Sequence, residues 1–408
     1  MNINDSSQIR KCTSCQLCGA VCPVGAISIK LDEYGFYRPV INGDVCINCG
    51  LCVKSCYKFD DSIAQSELSS KKLYAAWAND PEILGETTSG GIADILVRQL
   101  IQDGYKCIGV IYDSDRNCAV GDIASTKEEA LKFRGSKYIQ SLSVESFKTL
   151  VRSHKHEKFA VFGLPCQIYA IDRYLKLRGD RDRHVLIDLY CHGCPSLNVW
   201  NKYIDSALKK IGGKISYANF RSKVRGWGNF YNVKLLVERR DSTYQYVSPR
   251  INDSFYELFF SDLVLNDSCY DCKLRSSLEY SDIRLGDFWG KSYVSNHRGV
   301  SGVTVSSKIG SLLFNKIRGQ ITLEAQSFSN FLPYQSYGKN YSVDSENRIK
   351  LLSLLSDEKV TIKECVKAYH KMQSSKLKIK RLIKNIIKLM PNGFISTVKG
   401  MFYSLTNK

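Results

Sequence analysis

The chain has 408 residues, 44% of them hydrophobic and 24% charged, with a formal net charge of +18. That composition fits a globular protein of two or three domains. No apolar run approaches the ~20 residues that cross a bilayer, and Met1–Arg10 lacks the apolar core of a signal peptide. Spanning and export are thereby excluded, and a cytoplasmic location is expected. Sixteen cysteines remain to be explained. A disulfide framework needs an oxidising compartment, so metal ligation is the stronger reading.

In chain order, the first feature is an internal repeat. Cys12-Thr-Ser-Cys15-Gln-Leu-Cys18-Gly-Ala-Val-Cys22-Pro23 recurs as Cys46-Ile-Asn-Cys49-Gly-Leu-Cys52-Val-Lys-Ser-Cys56-Tyr57. Between the runs, Ala26 to Val40 reads as a hairpin turning near Asp32–Gly35. Residues 61–71 are polar and Ser-rich and read as a linker. From Lys72 onward, strands and helices alternate. Strands are expected at Leu73–Trp77, Cys107–Tyr112, Lys158–Phe162 and His184–Leu189, with helices at Gly91–Gln102 and from Pro165 to about Leu175. This rhythm predicts an open α/β sheet, at least partly parallel. Lys214–Glu238 is strand-like and aromatic, Asp282–Leu285 is a short strand, and residues 328–372 read as helical.

The repeat has the bacterial-ferredoxin spacing C-x2-C-x2-C-x3-C-P. Three close cysteines wrap three corners of a cubane, while the fourth lies too far along to close the same one and reaches the other. Two [4Fe–4S] clusters are expected, one on Cys12, Cys15, Cys18 and Cys56, the other on Cys46, Cys49, Cys52 and Cys22. Gly19 and Gly50 fall where the backbone must pass close to inorganic sulfide. Tyr57 stands where a second proline is expected, a departure that touches no ligand. Zinc is the competing occupant of paired C-x2-C motifs, and the doubled pattern favours iron.

Five further cysteines stand out. Cys166 and Cys191 each follow a strand, and in a parallel sheet such positions meet at the carboxyl edge. With the C-x2-C pair Cys269 and Cys272 they make a plausible third site. Cys191 and Cys194 form a C-x2-C pair of their own, which with Cys269 and Cys272 would suit zinc. Spacing leaves these two options even. Cys107 reads as a core residue, and nothing argues for a role of Cys118 or Cys365.

Thr87-Thr-Ser89-Gly90-Gly91 opens a helix and offers backbone N–H groups for a phosphate, although Ser-Gly also caps ordinary helices. Phe133-Arg134-Gly135-Ser136-Lys137-Tyr138 sets two cations beside a glycine turn, fit for a phosphate or a reduced flavin ring; as composition alone it is a solvated loop. Clusters pass single electrons and most organic substrates take pairs, so an iron–sulfur relay calls for a flavin between them.

Taken jointly, these segments resemble the beta-subunit family of coenzyme F420-reducing hydrogenases and dehydrogenases. The resemblance rests on Thr88-Ser-Gly-Gly91, Phe133-Arg-Gly-Ser-Lys-Tyr-Ile-Gln-Ser141, Gly163-Leu-Pro-Cys-Gln167, Asp188-Leu-Tyr-Cys-His-Gly193, Phe220-Arg-Ser-Lys223 with Gly226-Trp227, Cys269-Tyr-Asp-Cys272 and Asp282-Ile-Arg-Leu-Gly-Asp-Phe-Trp-Gly290. It implies a flavin-binding α/β core with its own [4Fe–4S] cluster on Cys166, Cys191, Cys269 and Cys272, leaving Cys194 as an extra. It also implies FAD contacts at Ser89, Gly90 and Gly91 and at Arg134, Gly135, Ser136 and Lys137. Lys137 is the candidate for stabilising reduced flavin, and His192 for donating a proton or holding a structural hydrogen bond.

The expected architecture is therefore α+β followed by α/β. A two-cluster ferredoxin module (1–60) and linker (61–71) precede a flavin-binding segment (72–155), an α/β segment with the third cluster (156–327) and a helical tail (328–408). The expected function is an iron–sulfur flavoprotein oxidoreductase. It would pass electrons from a ferredoxin or flavodoxin-like donor to an organic substrate or to a deazaflavin of the F420 type. The alternative is a non-catalytic electron-transfer subunit serving a partner enzyme, for example in polysaccharide assembly.

Lys371 to Lys408 carries nine Lys or Arg and no acid. Leu377, Ile379, Leu382, Ile383, Ile386, Ile387 and Met390 fall mostly on one helical face, and Lys376, Lys380, Arg381, Lys384 and Lys388 mostly on the other. Residues 376–390 thus suit peripheral contact with the inner face of an anionic membrane; the rival is a helix with its apolar face docked on the core. No nucleic-acid role is expected, because no stacking platform or recognised nucleic-acid fold accompanies the charge.

Overall fold

A computed structural model describes residues 1–5, 7–228 and 231–405, with side chains as far as Met401. The N-terminal module is built on a hairpin of β1 (Ile27–Leu31) and β2 (Tyr37–Ile41), paired antiparallel from Ile27↔Ile41 to Leu31↔Tyr37. Asp32 shapes its turn, the Oδ1 accepting from the Tyr34 and Phe36 amides at 3.1 and 2.8 Å. Gly35 is required there twice over. Its φ is +76°, and a Cβ would lie 2.7 Å from the Asn198 side chain.

The remaining strands are β3 (Lys72–Ala78), β4 (Lys106–Asp113), β5 (Cys118–Ala124), β6 (Ser141–Leu142), β7 (Phe159–Phe162), β8 (Val185–Leu189), β9 (Lys214–Asn219), β10 (Lys234–Glu238), β11 (Thr243–Val247), β12 (Ile283–Asp287), β13 (Ser301–Val305) and β14 (Ile321–Gln326). Nine of them form one sheet in the order β14-β3-β13-β12-β8-β7-β4-β5-β6. The centre, β12-β8-β7-β4, is parallel. The flanks are antiparallel apart from the short β5–β6 pair. The sheet is thus mixed, and it runs unbroken from the segment before residue 155 to the segment after it.

The central strands read as continuous apolar runs because both faces are covered. Ala160, Val185 and Ile187 pack with Ile92, Leu96 and Phe314 on one side. Val161 and Leu186 pack with Ile168, Leu175 and Phe147 on the other. Leu17, Val21 and Tyr57 of the N-terminal module join this second cluster, so the module is part of the core. The three-stranded sheet β11-β10-β9 packs on a separate cluster around Trp200, Phe220, Phe255 and Leu351.

Several elements were not anticipated. β5 and the fully buried β13 carry no alternation, and β6 is two residues long. A second tail helix, Asn392–Leu405, follows the break at Pro391. The polar stretch 61–71 is tied down. Ser66 is buried, its amide donates to Ser276 O at 3.0 Å, and its hydroxyl accepts from the Leu278 amide at 2.6 Å. In the helical tail, Ser345–Ser356 and Ile362–Met372 pack on the core through Leu351, Leu355 and Cys365. Helix Ser375–Leu389 buries none of its residues.

Candidate functional site: three cysteine groups and an aromatic pocket

The two cysteine runs fold alike. Ser14 (φ +61°) and Asn48 (+53°) occupy the same place in the repeat, as do Gln16 (+70°) and Gly50 (+74°). These left-handed residues turn the chain back so that successive thiols face inward. Gly50 therefore serves the turn, as expected. Gly19 does not, for its φ is not positive. It is a glycine because a Cβ there would meet Val144 and Ile29 at 3.2–3.3 Å. Ala26 and Ser14 amides donate to the Cys22 and Cys12 sulfurs at 3.2 and 3.4 Å, the pattern that stabilises anionic sulfur.

Cys12, Cys15, Cys18 and Cys56 line one cavity, together with Cys52. Burial pushes the Cys15 thiol up to about 11 and Cys56 to about 12, and the neighbouring cysteines add to both shifts. Cys22 and Cys49 lie within electrostatic reach of Cys52. The fourth cysteine of each run thus sits with the other run's first three. So many thiolates in one low-dielectric space need a positive body among them, and an all-thiol donor set around a cavity fits an iron–sulfur cluster. Among the described residues, no three His, Cys, Asp or Glu side chains converge as tightly as a single ion requires.

The third group forms at the sheet's carboxyl edge. β7 ends at Phe162 and β8 at Leu189, as parallel neighbours, which brings Cys166 and Cys191 together. Cys166 is the second residue of helix Pro165–Arg178, whose entry is set by proline at its first position and by the Leu164 amide donating to Gln167 Oε1 at 3.0 Å. Cys269 and Cys272 border two short 3₁₀ turns. Cys191, Cys269 and Cys272 all act electrostatically on Cys166, and so does Cys15 of the first group. Cys194 neighbours Cys269 and Cys191, with its amide 3.4 Å from the Cys269 sulfur. Cys107, Cys118 and Cys365 are buried elsewhere in the core.

Two contacts hold this group in place. Arg284 is buried and donates to Asp188 Oδ1 at 2.9 Å, to the Arg275 and Ser277 carbonyls at 3.1 and 2.9 Å, and to the Tyr280 hydroxyl at 2.8 Å. It thereby clamps the chain just after Cys272 onto β8. Tyr57, at the unexpected non-proline position, joins the module to the same loop. Its hydroxyl accepts from the Lys273 amide at 3.1 Å and donates to Asp271 O at 3.4 Å. It touches no cysteine in these bonds, yet it links the first group to the third.

Beyond Cys191 lies a pocket wall. Tyr138 is within electrostatic reach of Cys191, and its hydroxyl accepts from Arg221 at 3.1 Å. Arg221 also donates to Asp287 Oδ2 at 3.1 Å and lies 4.0 Å over the Tyr231 ring. Trp227 stacks on Trp289 at 4.7 Å and donates to Asp287 Oδ1 at 3.0 Å. The two glycine loops meet beside this wall. The Ser136 amide donates to Thr88 Oγ1 at 2.9 Å, and Lys223 donates to the Ser89 and Leu84 carbonyls at 2.6 and 2.5 Å. Arg221, Lys223, Trp227, Asp287 and Trp289 lie in segments that carry the family resemblance, but no local pattern singles them out.

The residues of the loops divide by role. Gly90 is demanded by packing, since a Cβ would lie 2.3 Å from Ala76 O; its amide donates to Ser301 Oγ at 2.9 Å. Ser89 donates to Val300 O at 2.9 Å. Gly91 has φ +81° and caps helix Ile92–Gln102, and Gly135 has φ +82° with open space around it. Arg134 is paired with Asp94 at 3.0 Å and with Glu86 and Glu82, leaving only its buried Nη2 without a partner. Lys137 bonds the Lys132, Phe133 and Arg134 carbonyls at 3.0–3.2 Å and has no carboxylate partner; burial pulls it down to about 7. His192 is held at both nitrogens, Nε2 2.8 Å from Asp262 Oδ1 and Nδ1 3.1 Å from the Tyr341 hydroxyl.

Paired four-cysteine runs docked on a mixed α/β sheet, beside an aromatic pocket, define an iron–sulfur protein of the oxidoreductase class. A family profile for the C terminus of the coenzyme F420 hydrogenase/dehydrogenase beta subunit matches residues 156–330, and one for the 4Fe-4S dicluster domain matches residues 11–58. The chain belongs to the coenzyme F420 hydrogenase/dehydrogenase beta-subunit family and carries an N-terminal 4Fe–4S dicluster domain. It is similar to the F subunit of the F(420)H(2) dehydrogenase of Methanosarcina mazei, 24% identical over 76% of this chain and 84% of the relative. It is also similar to the beta subunit of the coenzyme F420 hydrogenase of Methanococcus voltae, 32% identical over 30% of this chain and 45% of the relative. A component of the F420-reducing [NiFe] hydrogenase complex from Methanosarcina barkeri is 20% identical with a TM-score of 0.45, covering 77% of this chain and 93% of that one.

Proposed function

We propose that the protein is an iron–sulfur flavoprotein oxidoreductase that passes electrons from a ferredoxin-like donor to an organic acceptor, with coenzyme F420 as the first acceptor to try. The observation that carries this reading is spatial order. Cys46, Cys49, Cys52 and Cys22 neighbour Cys12, Cys15, Cys18 and Cys56; Cys15 neighbours Cys166; and Cys191 neighbours Tyr138 at the pocket wall. Cysteine sets placed one beyond another, from the surface of the module to a pocket, suit a conductor of electrons better than a structural metal site.

In this reading Cys166, Cys191, Cys269 and Cys272 hold a third [4Fe–4S] cluster. FAD lies along Ser89–Gly91 and Gly135–Lys137. Clusters supply single-electron transfer, and bound flavin supplies its conversion to two-electron chemistry. Lys137, free of any carboxylate and poised near neutrality, is suited to meet negative charge arising beside it. Ser136 and Thr88 fix the distance between the loops, and Arg221 holds Tyr138 and Asp287 in place. Arg134 is taken up by carboxylates and serves the loop's shape.

The test is anaerobic purification with iron, sulfide and released flavin measured together. Three cubanes predict about twelve irons per chain, little zinc and one flavin. Iron near eight with zinc would assign Cys191, Cys194, Cys269 and Cys272 to zinc, and absence of flavin absorbance would overturn the flavoprotein reading. A second reading has support in the relatives' names, which describe subunits. The chain would then deliver electrons to a partner enzyme. Photoreduced protein that reduces F420 unaided favours the first reading; reduction only with a partner present favours the second.

A further inference from the structure

Helix Ser375–Leu389 is inverted relative to an ordinary surface helix. Ile379, Leu382, Ile383, Ile386 and Leu389 fall at i, i+3, i+4, i+7 and i+10, a single stripe. They are 58%, 61%, 53%, 49% and 62% exposed. The docked alternative, with this stripe against the core, is not what the fold adopts. The helix is held through its other sides. Asn385 donates to Asn252 Oδ1 at 3.0 Å, and Arg250 donates to Met390 O at 3.2 Å just past the helix end. The following helix anchors the tail through buried Ile395 and Ser396. The stripe's outward direction is thus fixed by contacts on both sides of it.

We propose that this stripe is a docking surface for an anionic lipid bilayer. The helix carries Lys376, Lys378, Lys380, Arg381, Lys384 and Lys388 and no acidic residue. Exposed Lys376, Lys378 and Lys380 stand at the end where the stripe begins. An apolar stripe flanked by cations matches the acyl boundary and headgroups of an anionic leaflet together. A second copy of this chain is the poorer occupant, because pairing two such helices sets six cations against six with no carboxylate between them. The contact is peripheral: no described helix is long and apolar enough to cross a membrane.

The full-length, cluster-loaded protein should float with vesicles of mixed phosphatidylcholine and phosphatidylglycerol, much less with phosphatidylcholine alone, and less in high salt. The double variant Ile383→Glu/Ile386→Glu should weaken binding by at least about tenfold. Lys376→Gln/Lys378→Gln should weaken it by about tenfold in low salt. Both variants alter exposed side chains, so iron content and melting temperature should match the parent. Equal affinity for both vesicle types, or none for either, would overturn the proposal. So would a dimer in sedimentation that the glutamate variant dissolves, which would make the stripe an interface between copies.

Discussion

His184 shows how one buried side chain sets a pH limit. It is fully buried against Phe159, its Nδ1 accepts from the Phe159 amide at 3.1 Å, and its Nε2 has no partner. Burial, with smaller contributions from His154 and Arg183, holds it down to about 4. An unfolded imidazole titrates near 6.5, so between these values the unfolded chain binds more protons. Stability from this group is full above pH ~6.5 and is lost as pH falls towards 4, by about 3 kcal/mol in all. Melting temperature against pH should show this loss, and His184→Asn should flatten it. Asp188 and Arg284 pose a different case, a buried pair whose cost is met by geometry and further hydrogen bonds. Asp188→Asn strands a buried guanidinium and should cost about 3–5 kcal/mol. Because Arg284 clamps the chain after Cys272, iron should fall from about twelve towards about eight while the first eight cysteines stay loaded.

The junction of module and sheet is a set of amide hydrogen bonds. Gln16 donates to Ser141 O and accepts from the Ser143 amide, both at 2.7 Å. Gln140 donates to Gly35 O at 2.8 Å and Pro195 O at 3.0 Å. Both residues are buried, so removing either amide leaves unsatisfied backbone groups on two elements. Gln140→Ala should cost about 1–3 kcal/mol, readable as a lower melting temperature with the iron content unchanged. Residues 61–71 should resist proteinase K in the folded protein, because the Ser66 bonds must open before cleavage; rapid cutting there would show the stretch to be a free tether. The polar composition of this stretch concealed its role, since each bond reaches some 210 residues along the chain. The hairpin Ile27–Ile41 was legible for the opposite reason, its pairing being complete within a few residues of its turn.

On the scale of the whole molecule, three cysteine groups and a pocket share one rigid framework because the parallel centre of the sheet brings β7 and β8 side by side. Cys166→Ser tests that framework. It should cost about four irons and slow electron delivery to any acceptor, while the two N-terminal clusters keep their spectra. Much of the candidate site could be read locally. Ligands wrapping one compact cluster must recur every third residue, so the front eight cysteines declare themselves. Arg221, Asp287, Trp227 and Trp289 could not be read that way. They come from separate loops, and their chemistry arises only when Asp287 accepts from both Arg221 and Trp227.

By itself, the sequence determined the doubled cysteine runs, the strand–helix rhythm and the two-faced tail helix, all properties of neighbours in the chain. Tertiary structure alone decided that Cys166 stands beside Cys15, that Tyr57 bridges the module to the Cys269–Cys272 loop, and that the tail's aliphatic side points away from the core. Each of these depends on which distant surfaces pack together. That is a balance of burial and hydrogen bonding summed over the whole fold, and no short window of residues encodes it.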